Sequence, residues 1–138
     1  MHIENPVYLS EDKLTDQITV NMRVDGQEMW YPIVSWGAHW YESNNQWEVL
    51  CEDMDEIEFH IESLIQGNVR TEKISLARLP KRSEYSVRLQ LETVFLDNKT
   101  CRITVRDAGF GDFFPATDFH AEKTIHLGGN DGKFNSLS

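Results

Sequence analysis

A chain of 138 residues fits one domain around a single hydrophobic core. Its 40% apolar content supplies too much core-forming material for intrinsic disorder. The formal charge of −10, from 13 basic and 23 acidic side chains, repels phosphate backbones and anionic lipid, so neither nucleic acid nor a membrane surface is an expected partner.

Period-two alternation dominates from residue 16 onward. Ile18, Val20, Met22 and Val24 point one way, with Thr19, Asn21 and Arg23 opposite. Asp25-Gly26 follows, a dipeptide suited to a two-residue hairpin turn because glycine accepts positive φ at no steric cost. Glu28 to Val34 reads as a second strand whose Pro32 lacks a ladder donor, which predicts an edge or a bulge. Gln46 to Cys51 forms a third run, closed by the acidic turn Glu52-Asp53-Met54-Asp55. Ile57, Phe59 and Ile61 then alternate with Glu58, His60 and Glu62, which sets His60 on the solvent side. The stretch from Met54 to Gln66 also has apolar residues at three- and four-residue spacings, so a helix competes there.

Gln66-Gly67-Asn68 breaks the chain before a short run reaching Leu79-Pro80. Val87, Leu89 and Leu91 alternate with Arg88, Gln90 and Glu92; Asp97-Asn98-Lys99 turns; Cys101, Ile103 and Val105 alternate with Arg102, Thr104 and Arg106. After a Gly/Phe-rich loop, Lys123 to Leu127 supplies a last strand. About eight short strands at this spacing predict an all-β antiparallel sandwich, with residues 1–15 an extension or linker remnant, 16–127 the sandwich and 128–138 a flexible tail.

Chemistry-bearing motifs are sparse. The five histidines include no His-x-x-x-His pair, and neither Cys51 nor Cys101 has a Cys-x-x-Cys partner. His120 and His126, with Glu122 between them, are the nearest approach to a ligand set and read as surface residues. Asp53/Asp55 and Glu56/Glu58 lack the glycine and terminal glutamate of a calcium loop. No nucleophile elbow or Walker loop is present, and Gly109-Phe110-Gly111 reads as a turn. The basic run Arg78-Leu79-Pro80-Lys81-Arg82 reads as a solvated loop. No enzymatic activity and no cofactor or metal are expected. No apolar run approaches the roughly 20 residues of a membrane span, and residues 1–6 lack the features of a signal peptide. The expected setting is cytoplasmic, with both thiols free.

Six large aromatics, Trp30, Tyr31, Trp36, Trp40, Tyr41 and Trp47, fall within eighteen residues and include all four tryptophans. Strand cores favour aromatics, and binding surfaces draw most of their energy from them, so both roles are open to these six.

In strand order and spacing, residues Ile18 to Ile61 resemble the first half of the substrate-binding β-domain of DnaK-type heat-shock chaperones. Ile57-Glu58-Phe59-His60-Ile61 is similar to that family's apolar-Thr-Ile-His-Val strand, and Gln66-Gly67-Asn68 sits where the family has Gln-Gly-Glu. Ser86 to Glu92 and Arg102 to Asp107 resemble its later strand pair, and Ile103 to Pro115 resembles C-terminal domains of clostridial chaperone-like proteins of unknown function. The resemblance covers about residues 16 to 127. It implies a non-catalytic module holding an extended hydrophobic peptide or protein segment, with an upstream ATPase-like domain in a longer protein. The family's apolar groove falls on Met22, Trp47, Ile57 and Phe59, and its two arching residues on Asp25 and Leu50. Asp25 is charged where an arch is apolar, Trp47 and Phe59 are bulky for an open pocket, and neither a helical lid nor a leucine-rich linker has a counterpart. A carbohydrate-binding sandwich with exposed tryptophans, and a structural or dimerising domain, are the alternatives.

Overall fold

The computed structural model describes residues 12–24, 26–51, 54–79, 88–109 and 115–128. Eight strands make up its regular structure: β1 (Asp16–Val24), β2 (Gln27–Val34), β3 (Asn45–Leu50), β4 (Glu56–Ser63), β5 (Val69–Ser75), β6 (Arg88–Asp97), β7 (Thr100–Asp107) and β8 (His120–His126). One turn of 3₁₀ helix, Trp40–Glu42, lies between β2 and β3. The strands form two four-stranded antiparallel sheets, ordered β2-β1-β4-β5 and β3-β6-β7-β8. The chain is thus an all-β sandwich, as the alternation predicts.

Each inner face is read directly from the pattern. Ile18 and Val20 of β1, Ile57, Phe59 and Ile61 of β4, Leu89, Leu91 and Phe95 of β6, and Cys101, Ile103 and Val105 of β7 are all buried in one core. The helix that competes over Met54 to Gln66 does not form. Its apolar residues at 57, 59 and 61 bury together only at period two, and β4 gains ladder partners on both sides, in β1 and β5.

Turn chemistry fixes the register. Val24 pairs with Gln27, leaving a two-residue connection in which Gly26 sits at φ 78°. At the β6–β7 hairpin, Asp97 pairs with Thr100, and the Asp97 carboxylate accepts from the Lys99 N–H at 2.8 Å. β2 is an edge strand with an irregularity in its register opposite Ile18 and Thr19, which accommodates Pro32. Asp25 itself, Pro80 to Val87, the Phe-rich stretch 110–114 and the tail beyond 128 lie outside the described residues.

The packed unit begins earlier than residue 16. Leu14 is core, only 1% exposed, and exchanges backbone hydrogen bonds with Ala38 and Gly37. Lys13 bridges His39 as well, so residues 13 and 14, at the end of the segment expected to be an extension, pair with the β2–β3 connection.

Phe59 is fully buried at the centre, and truncating it removes contacts on every side. Phe59→Ala should cost about 3–5 kcal/mol in urea unfolding at an unchanged m-value. A loss under about 1 kcal/mol would contradict this placement.

Candidate functional site

The two flanks of the sandwich differ in chemistry. On the β5/β8 flank, register places Arg70 and Glu72 on the inner face opposite Ile61 and Phe59, and Lys123 on the inner face opposite Ile103. Arg70 Nη1 donates to Glu72 at 2.8 Å, Lys123 Nζ lies 3.3 Å from the same carboxylate, and Arg70 also donates to the His126 carbonyl. These polar groups bridge the two sheets and cover the core edge on that side.

The β2/β3 flank carries apolar groups in the matching positions. Met29 lies opposite Met22 and Tyr31 opposite Val20, so both share the inward face of β1, yet Met29 is 46% and Tyr31 43% exposed. Trp47 has the inward parity of Val49 on edge strand β3 and is half-buried against the core, as is Met22. An apolar rim of two methionines and two aromatics therefore stays in contact with water.

β1 and β4 separate beside this rim. Their ladder runs from Asp16–Ser63 to Val20–Phe59 and stops, although both strands continue. Beyond it Arg23 bridges Cys51, in parallel, so the end of β1 lies beside the connection that leaves β3. Met54, further along that connection, packs on the core, and the Asp55 carbonyl accepts from Leu76.

The residues given groove and arch roles can now be placed. Met22, Trp47, Ile57 and Phe59 all belong to the layer between the sheets. Ile57 and Phe59 are wholly buried, so they form the floor beneath the rim and present no surface of their own. Leu50 is half-buried and shares the parity of Gln46 and Glu48, which turns it to the outer side of its sheet. Asp25 lies outside the described residues; Arg23 bridges Cys51, the residue after Leu50.

Sequence reading missed Met29 as a rim residue. The signal was available: a two-residue turn at Asp25-Gly26 places residue 29 opposite residue 22.

None of the six aromatics is fully buried. Trp40 and Trp47 pack on the core, whereas Trp30, Tyr31, Trp36 and Tyr41 are exposed. Trp36 donates its indole N–H to the Glu62 carbonyl at 3.0 Å. On the outer face of the first sheet, Trp30 stacks on His60 with ring centroids 3.8 Å apart and planes at 20°. His60 therefore points outward as predicted but is half-covered, and also contacts Glu58 at 3.3 Å. Asn21, beside Trp30, is buried; its Nδ2 donates to Glu28, while its Oδ1 has no hydrogen-bond partner among the described residues.

Among the described residues no three His, Cys, Asp or Glu side chains converge as a metal site. His120 and His126 stand at opposite ends of β8, about 20 Å apart along the strand, too far to share an ion. Both cysteines are free and buried, and burial pushes their thiols up to about 12. At neutral pH they are inert thiols, not nucleophiles. No helix among the described residues is long and apolar enough to cross a membrane.

Residues 13–127 match the family model described as a domain of unknown function (DUF8552). The chain belongs to this family. No curated protein and no solved structure matches the chain. The DUF8552 match begins one residue before buried Leu14 and ends at buried Leu127, so its limits coincide with the packed unit.

In the native DUF8552 domain, both thiols should resist an aromatic disulfide reagent at pH 8 and react together once denaturant unfolds the chain. Rapid labelling of either in the folded protein would contradict their burial.

Proposed function

We propose that this domain is a non-catalytic module that holds an extended apolar protein segment against the β2/β3 flank, in the manner of the DnaK-type substrate-binding β-domain that its sequence resembles. The observation that carries the reading is the uncovered rim of Met22, Met29, Tyr31 and Trp47, beside the place where the β1–β2 hairpin and the β3–β4 connection run together. Both flanking strands are sheet edges, and a bound segment would meet backbone groups there as well as side chains. Methionine is unbranched and polarisable, so a Met-bearing surface adapts to varied apolar side chains. Burying one leucine-sized group on this rim would contribute about 1.5–3 kcal/mol. Such a module binds by shape and apolar contact, in a protein whose net charge of −10 favours cationic flanks on the bound segment.

Ile57 and Phe59 support the rim from below, because any ligand that touched them would have to open the core. The proposed contact is therefore shallower than the four-residue groove that the resemblance implies. An upstream ATPase-like domain belongs to the same reading and rests on the resemblance, and a cytoplasmic setting is proposed from the two free thiols.

A second reading has its own observation. Trp30 stands exposed on the outer face of the first sheet, stacked on His60 beside the unpartnered Asn21 oxygen, which is an arrangement that can receive a sugar ring.

The two readings separate by mutation. An extended heptapeptide with central leucines and flanking lysines should bind at micromolar to high-micromolar Kd, and Met22→Glu with Tyr31→Ala should weaken it about tenfold or more. Trp30→Ala should leave that affinity unchanged. No binding at high micromolar peptide would remove the peptide reading. Loss of oligosaccharide binding in Trp30→Ala, with no peptide binding in the unmodified chain, would put the carbohydrate reading in its place.

A further inference from the structure

A concave region lies on the outer face of the β3-β6-β7-β8 sheet, away from the apolar rim. It encloses about 530 Å³. Its floor is a cross-strand row set by register: Glu48 of β3 opposite Gln90 of β6, Gln90 opposite Arg106 of β7, and Arg106 opposite His120 of β8. Its wall is the segment 116–119.

The wall is held by a buried carboxylate. Asp107, only 5% exposed, accepts from the Gly109 N–H at 2.9 Å, the Thr117 N–H at 3.0 Å and the Thr117 hydroxyl at 2.7 Å. Its own N–H donates to the Phe119 carbonyl at 3.2 Å, and the Arg78 guanidinium lies over the Phe119 ring at 5.6 Å. Three hydrogen bonds to one buried carboxylate fix the loop. The concavity is thus a built feature of the fold.

The charges that line it are unusual for this protein. With 23 acidic against 13 basic side chains, most of the described arginines find a carboxylate neighbour. Among the described residues Arg23, Arg70, Arg88 and Arg102 each face a glutamate within 4.0 Å. Arg106 faces none. Its Nη2 donates to Gln90 Oε1 at 2.6 Å, and Gln90 in turn donates to Gln46 at 3.1 Å, a relay that holds the guanidinium in place without neutralising it. Asp118, on the wall of the same concavity, likewise forms no ion pair among the described residues. Two opposite charges, each without an ion pair among the described residues, line one space without meeting each other.

We propose that this concavity is a binding site for a small organic anion that also carries a hydrogen-bond donor. The anionic group lies on Arg106, beside His120, and the ammonium or hydroxyl of the same molecule lies on Asp118. Arginine suits the first role because its planar fork receives a carboxylate or phosphate through two parallel hydrogen bonds. Glu48 is already matched to Arg88 at 3.5 Å and does not repel the incoming anion as a lone carboxylate would. The site shares no residue with the apolar rim, so either proposal can fail while the other stands.

The test is amide and side-chain NMR of the whole chain, titrated with free glutamate, which supplies carboxylates and an ammonium, and with inorganic phosphate, which supplies only the anion. Sodium chloride at matched ionic strength is the control. Glutamate should shift the Arg106 and His120 resonances with a Kd of about 1 mM or tighter, and phosphate should bind more weakly. Arg106→Gln, an exposed change that leaves the fold intact, should lower both affinities about tenfold or more. Asp118→Asn should weaken glutamate and strengthen phosphate. If neither probe moves these resonances beyond the salt control, or if Arg106→Gln binds as the parent chain does, the site is overturned. If phosphate matches glutamate and Asp118→Asn is silent, the role given to Asp118 is overturned.

Discussion

The inner faces of the two sheets must be kept from water along both flanks, and this chain meets that requirement differently on each side. At the β5/β8 flank an inter-sheet ion triad of Arg70, Glu72 and Lys123 covers the core edge. Each of these groups is roughly a third exposed, so their pairing contributes little to stability, about 0–1 kcal/mol per pair. Their role is to end the apolar layer cleanly. At the β2/β3 flank no such ion triad is found among the described residues. Met29 and Tyr31 continue the inward parity of β1 beyond the reach of the opposite sheet, and Trp47 meets water at the facing edge.

That asymmetry gives the domain a direction. Stability resides in the wholly buried centre, in Ile18, Val20, Ile57, Phe59, Leu89, Leu91, Ile103 and Val105. The rim contributes less, because its side chains keep part of their water contact, and it is therefore free to serve another purpose. The local separation of β1 from β4 past Val20–Phe59, with Cys51 taking up a place beside Arg23, sets a hairpin and a connection next to that rim. A sandwich built only for stability gains nothing from leaving these groups uncovered.

Most of the fold was legible because period-two alternation and turn residues act locally. Asp25-Gly26, Gln66-Gly67-Asn68 and Asp97-Asn98-Lys99 each fall between paired strands, and Gly67 sits at φ 74° in its turn. What alternation cannot carry is the identity of the partner across a sheet. The strand order β2-β1-β4-β5 decides that Trp30 reaches His60, and nothing within either strand encodes the stack. Leu14 was read as part of an extension because a single leucine outside a periodic run gives no signal; its burial comes from hydrogen bonds to a loop more than twenty residues away. The candidate site was half legible. Positions 22, 47, 57 and 59 were found together in one layer, but only a solvent count separates the rim from the floor. Arg106 and Asp118 were invisible as a pair, since their placement around one concavity depends on a loop tied down by Asp107.

The proposed function requires that a ligand enter at the β2/β3 flank. Methyl-labelled methionine and indole ¹⁵N spectra of the intact chain, recorded with increasing amounts of a lysine-flanked leucine heptapeptide, test this most directly. The Met22 and Met29 methyls and the Trp47 indole should shift along one saturating curve, while the Trp36 indole, which donates to the Glu62 carbonyl, stays in place. Saturating shifts confined to Trp36 or Trp30, or no shifts at all, would contradict it.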